Sequence, residues 1–97
     1  PPAGYQALLR AEAHDREQAR DFLNEAAESF PPGGTRIFGP MPAIMERMGG
    51  RSRMYLLLQA SSRADLHVQV DAWLPHLRGL RSARKVRWAI DVDPQDL

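Results

Sequence analysis

The residue pattern predicts an α+β fold, a two-layer β-α-β-β-α-β sandwich with an antiparallel sheet and two helices on one face. Three observations carry this expectation. Apolar residues alternate near both ends of the chain, at 7, 9 and 11 and at 86, 88, 90 and 92. Such period-2 patterns mark half-buried strands. Two apolar stripes at helical spacing lie inward of those strands. Between the stripes, Gly49-Gly50 joins two extended segments as a hairpin.

Each element can be argued in order. Tyr5 to Glu12 is the first strand: Ala7, Leu9 and Ala11 share one face, and Gln6, Leu8, Arg10 and Glu12 the other. Asp15 stands where a side chain can accept from the first free amides of a helix, with Gln18 at the reciprocal capping-box position. Ala19, Phe22, Leu23, Ala26, Ala27 and Phe30 then form one stripe, and Pro31-Pro32-Gly33-Gly34 ends it. Arg36-Ile37-Phe38 is a short extended piece that stops at Gly39-Pro40-Met41-Pro42. The prolines confine any strand there to a short or edge role.

Ala43 to Met48 and Arg53 to Ala60 are the hairpin arms. Met54 to Leu58 is apolar on both faces, which places that arm centrally in the sheet. Ser61 or Ser62 caps a second helix along Leu66, Val70, Trp73, Leu74 and Leu77. Pro75 predicts a kink or an early end near Leu74. Lys85 to Val92 is the last strand, with Val86, Trp88, Ile90 and Val92 inward and Lys85, Arg87, Ala89 and Asp91 outward. Trp73 and Trp88 are both expected in the core. The whole is the ferredoxin-like arrangement, in one domain over residues 1–97.

Composition narrows the function. Hydrophobic residues make up 43% of the 97, enough for a core, and there is no cysteine. Disulfides and thiolate metal sites are therefore excluded, and a cytosolic home fits. No apolar run approaches the roughly 18 residues of a membrane span. The start, Pro1-Pro2-Ala3-Gly4 without Met or signal peptide, is what a piece of a longer protein would show.

The net charge of +1 is unevenly spread. Residues 1–35 hold three bases and six acids, net −3; residues 36–87 hold ten bases and three acids, net +7; residues 88–97 hold three acids, net −3. A segregated basic stretch can attract phosphates where a uniform +1 cannot.

No catalytic constellation emerges. Gly33-Gly34 and Gly49-Gly50 lack the Lys-Ser/Thr of a nucleotide loop. His67 and His76 lie about 180° apart on the second helix and His14 is remote, so no metal site is expected. Asp91, Asp93 and Asp96 fit a solvated tail with an Asp-Pro turn, and Glu25 and Glu28 a solvated helix face.

Two basic clusters remain. Arg47, Arg51 and Arg53 flank the hairpin tip, with Tyr55 beyond as a stacking surface for an unpaired base or as ordinary packing. Arg78, Arg81, Arg84, Lys85 and Arg87 place five cations in ten residues with no acid among them. They are either a solvated loop or forks for phosphate, without sequence specificity. Arg63 opens the second helix after Ser61-Ser62. A cation there opposes the helix dipole, so it is either an anion site with the free amides or an arginine without a role.

Several stretches resemble the C-terminal domain of the PriA helicases. They are Gly39-Pro40-Met41-Pro42-Ala43, Gly49-Gly50-Arg51, Leu56-Leu57-Leu58-Gln59-Ala60, Ser62-Arg63, and Arg84 through Pro94. The opening Pro-Pro-x-Gly-Tyr with Ala7-Leu8-Leu9-Arg10 is similar too, so the resemblance spans the chain. It implies a bacterial, cytoplasmic, nucleoid-associated protein. Its parent would be an ATP-driven 3′-to-5′ DNA helicase that remodels abandoned replication forks and recruits primosome proteins. ATP with magnesium, and zinc, would belong to upstream domains, with no cofactor in this piece. The domain itself, similar in fold to a small-subunit ribosomal protein, would bind branched and single-stranded DNA. It would also help hold the acidic C-terminal tail of the single-stranded-DNA-binding protein SSB. The family's pocket arginine matches Arg63, and a family glutamine one turn on is His67 here. The alternative class is a pure protein-interaction domain of a larger DNA-processing enzyme, with no direct DNA contact.

Overall fold

The computed structural model describes residues 4–92. The elements run β1 (Tyr5–Ala13), α1 (Arg16–Glu28), β2 (Thr35–Met48), β3 (Arg51–Ala60), α2 (Arg63–Gly79), a 3-10 helix (Arg81–Lys85) and β4 (Arg87–Val92). This is the β-α-β-β-α-β order, in a four-stranded sheet with sequence β2-β3-β1-β4 and every neighbour antiparallel. The expected ferredoxin-like class is the observed one.

Strand alternation sets the layers. Ala7, Leu9, Ala11 and Ala13 of β1 and Met54, Leu56, Leu58 and Ala60 of β3 are buried together with the apolar stripes of both helices. From α1 come Ala19, Phe22, Leu23 and Ala26, and from α2 Leu66, Val70, Trp73 and Leu77. The Trp73 indole N–H donates to the Ala26 carbonyl at 2.8 Å, and its ring meets Phe30 edge-on with centroids 4.8 Å apart. Gln69, a buried polar residue of α2, donates to the Pro31 carbonyl at 3.1 Å and accepts from the Thr35 hydroxyl. It ties the α1–β2 connection to the second helix.

Five expectations need correction. Asp15 holds the N-cap position, but its exposed side chain bonds no amide; its backbone carbonyl accepts from Gln18 and Ala19 instead. Arg36–Phe38 and Ala43–Met48 are not separate pieces. They are parts of one 14-residue β2, and the hairpin's second arm begins at Arg51. The prolines are tolerated because β2 is an edge strand whose register shifts between Phe38 and Met41 and between Pro42 and Arg47. Pro75 does not end α2 near Leu74. The helix continues to Gly79 because Leu77, beyond the proline, is fully buried.

The remaining two corrections concern the last strand. Lys85 is not its first residue: Arg81–Lys85 forms the 3-10 helix and β4 begins at Arg87. Trp88 faces inward as expected but is only half-buried, packed on the core's margin against Phe22. Of the cap alternatives, Ser62 is the one used, its hydroxyl accepting from the Asp65 amide at 3.2 Å. The expected turn at Asp93-Pro94 lies outside the described residues.

Candidate nucleic-acid interface

The sheet register brings the two basic clusters to one end of the molecule. Glu12, near the end of β1, pairs across the sheet with Arg53 of β3 on one side and Arg87 of β4 on the other. The β2–β3 hairpin tip and the 3-10 helix that leads into β4 therefore share the end of the sheet where β1 finishes. In the sequence these clusters are more than twenty residues apart, and only the pairing of both strands with β1 joins them.

The cations there are not equivalent. Arg47 is engaged with its own hairpin: Nη2 donates to the Gly50 carbonyl at 2.9 Å, and Nη1 to the Ser52 hydroxyl at 2.7 Å and the His14 carbonyl at 3.5 Å. Gly49 and Gly50, with φ of 59° and 77°, make the left-handed turn that brings the Gly50 carbonyl to it. Arg53 lies 3.8 Å from Glu12 and donates to the Met45 carbonyl at 3.4 Å. Arg87 reaches the other Glu12 oxygen at 4.0 Å and is largely exposed, so that pairing is loose. Arg51 is half-buried beside the tip.

By contrast, Arg78, Arg81, Arg84 and Lys85 are all exposed, and none forms an ion pair or side-chain hydrogen bond among the described residues. Arg78 closes α2, where a cation also complements the helix dipole. Arg81, Arg84 and Lys85 ride on the 3-10 helix. The nearest acid with a contact there is Glu25, which accepts from the Ser82 hydroxyl at 3.1 Å.

Arg63 and His67 sit elsewhere. The α2 helix starts where β3 ends, at the opposite end of the sheet from the cationic corner. Arg63 lies over the Tyr5 ring, 5.2 Å from its centroid, and His67 is exposed one turn on. The two expected sites are thus separated by the length of the sheet. Tyr55 is half-buried on the open face, opposite Arg10, and lines a cavity there with Arg10, Glu12 and Arg53. Among the described residues no three His, Cys, Asp or Glu side chains come together.

Sequence reasoning missed the ion pairs of the open sheet face. Arg10 donates to Asp91 at 3.0 Å, and Glu12 lies between Arg53 and Arg87. It also missed the outer segment of β2, where Phe38, Ile44, Met45 and Met48 are exposed. Ala43 to Met45 overhang a cavity of about 240 Å³ lined by Leu8, Arg10, Met54 and Tyr55. The apolar content of that segment was visible in the sequence, but its position beyond the core was not.

Comparison with known proteins fixes the relationship. The family model of the primosomal protein N C-terminal domain matches residues 1–95. The chain belongs to this family. The replication restart protein PriA of Haemophilus influenzae is 36% identical over 100 residues, covering all of this chain and 13% of that protein. The chain thus corresponds to the C-terminal part of a PriA protein, and spans about an eighth of that relative's length. A de novo designed protein, Foldit4, superposes with a TM-score of 0.62 at 7% identity, over 94% of this chain and 97% of the design. At that identity the likeness concerns the fold alone.

Proposed function

We propose that this PriA C-terminal domain is a single, non-catalytic DNA-binding and SSB-binding unit of a 3′-to-5′ DNA helicase acting at abandoned replication forks. The observation that carries the DNA reading is the corner of Arg78, Arg81, Arg84 and Lys85, four exposed cations with no partner among the described residues. Guanidinium forks left open in this way suit phosphate oxygens, and no base-reading element accompanies them, so binding is shape- and charge-based. Arg87, Arg51 and Arg53 extend the positive surface across the end of the sheet, while Arg47 holds the hairpin. Arg63 and His67, at the opposite end, hold part of the site for the acidic SSB tail.

ATP with magnesium, and zinc, belong to domains outside this chain, as does the motor that moves along DNA. Primosome proteins meet the domain through the parent helicase, in the bacterial cytoplasm at the nucleoid. Fluorescent fork DNA titrated at low and moderate salt tests the DNA reading. Binding that is measurable at low salt and falls steeply as salt rises supports it; no binding even at low salt contradicts it.

A second reading rests on a separate observation. Phe38, Ile44, Met45 and Met48 form an exposed apolar margin on the outer strand, which suits protein docking. Under that reading the cations serve solubility alone, and DNA affinity is absent.

A further inference from the structure

The free end of α2, the 3-10 helix and the start of β4 enclose an open hollow lined by Arg78, Gly79, Leu80, Ala83, Arg84 and Trp88. Leu80, Ala83 and Trp88 give it an apolar part and its charged members are two arginines, with no acid among the described lining residues. Trp88 is built differently from the other tryptophan. Trp73 is fully buried and its N–H is bonded, whereas Trp88 is half-buried and its N–H makes no hydrogen bond among the described residues. From the core side Trp88 stacks on Phe22, with centroids 5.9 Å apart and planes 29° from parallel. Phe22 is itself fully buried, so the indole is held flat against a fixed support. At the rim, a side chain added at Gly79 would meet nothing within 4 Å, which leaves the entrance open.

We infer that this hollow is a subsite for one unpaired nucleotide, its base lying against Trp88 and Leu80 and its flanking phosphates held by Arg78 and Arg84. The inference deepens the DNA reading above and rests on it. A base stacked inside a duplex cannot enter a hollow beside an indole, whereas a base in a single strand presents its π-face freely. The choice of a nucleotide over an acidic peptide follows from the charge layout. A peptide end with one carboxylate needs one cation, but Arg81 and Lys85 stand with Arg84 on the same 3-10 helix. A strand with a phosphate at every residue matches such a group.

Tryptophan emission of the 97-residue chain reads the test directly, since Trp73 is fully buried and Trp88 only half-buried. Short oligo-dT and a blunt duplex of equal phosphate number are titrated at low salt, with binding followed in parallel by anisotropy of labelled DNA. The expected result is quenching of Trp88 by oligo-dT and none by the duplex, although both bind. An abasic strand should bind about fivefold or more weakly than oligo-dT and quench little. Trp88→Phe keeps the stack on Phe22; it should remove the quenching and lower oligo-dT affinity while duplex affinity stays unchanged. Binding of oligo-dT without any change in Trp88 emission, or equal quenching by the abasic strand, overturns the subsite and leaves the DNA reading intact. Failure of both DNAs to bind removes the DNA reading itself, and the subsite with it. Stronger quenching by an acidic peptide carrying a terminal phenylalanine would make the hollow a peptide site and overturn the proposal.

Discussion

The indole N–H of Trp73 donates to the carbonyl of Ala26 at 2.8 Å, so the second helix is bonded to the first inside the core. The same carbonyl accepts from the Ser29 hydroxyl at 3.0 Å, at the point where α1 stops. One buried oxygen therefore fixes both the end of α1 and its distance from α2.

Trp73→Ala should destabilise the fold by roughly 3–5 kcal/mol, because it removes the largest fully buried side chain. Trp73→Phe should cost less. It loses about 1 kcal/mol for the hydrogen bond, plus a smaller packing term. Urea unfolding followed by circular dichroism gives both values. Equal losses for the two variants would mean that the indole's bulk contributes little.

Two glycine replacements should act in opposite directions. Gly39 has φ of 114°, and an added Cβ would lie 3.0 Å from the Tyr55 carbonyl oxygen and 3.1 Å from the Met41 amide nitrogen. Gly39→Ala should therefore destabilise by more than about 1 kcal/mol. Gly79 ends α2 in open space, so Gly79→Ala should be neutral or stabilise by up to about 1 kcal/mol. Thermal melts of the two variants beside wild type check the contrast.

These residues also show where the sequence was legible. The alternation of Ala7, Leu9 and Ala11, and of Trp88 and Ile90, gave the correct faces, because a strand's period of two is a local property. Pro40 and Pro42 correctly pointed to an edge strand but split the reading of β2 in two, because the register shifts that carry one strand past them belong to its pairing with β3. Of the two outcomes Pro75 allowed, the early end did not occur, because the burial of Leu77 outweighs the lost helix bond. Among the candidate site residues, composition found the basic clusters but could not rank them. Arg47 and Arg84 are the same residue type in similarly basic surroundings. One is engaged with a carbonyl 33 residues away at His14, and the other has no partner among the described residues.

Arg63 stands at the far end of the sheet from the basic corner, so its replacement should separate two activities. In the full-length parent protein, under the proposed tail site, Arg63→Glu should weaken binding of an SSB-tail peptide more than Arg63→Ala does, because it adds repulsion to the removal of a charge-assisted bond. DNA affinity should change little in either variant. A labelled tail peptide titrated into the three proteins decides this, and equal affinities would remove Arg63 from the tail site.

The salt dependence of fork binding tests the central claim most directly. Wild type, the triple variant Arg81→Ala/Arg84→Ala/Lys85→Ala, and Arg47→Ala are each titrated with fork DNA across a range of salt. Free cations that touch phosphate release counterions on binding, so the logarithm of the binding constant falls linearly with the logarithm of salt. The triple variant should bind more weakly, with a slope flatter by about one for each phosphate no longer neutralised. Arg47→Ala should keep the wild-type slope, because its guanidinium is held by Gly50 and Ser52. Identical slopes for wild type and the triple variant would contradict the assignment of this corner to DNA.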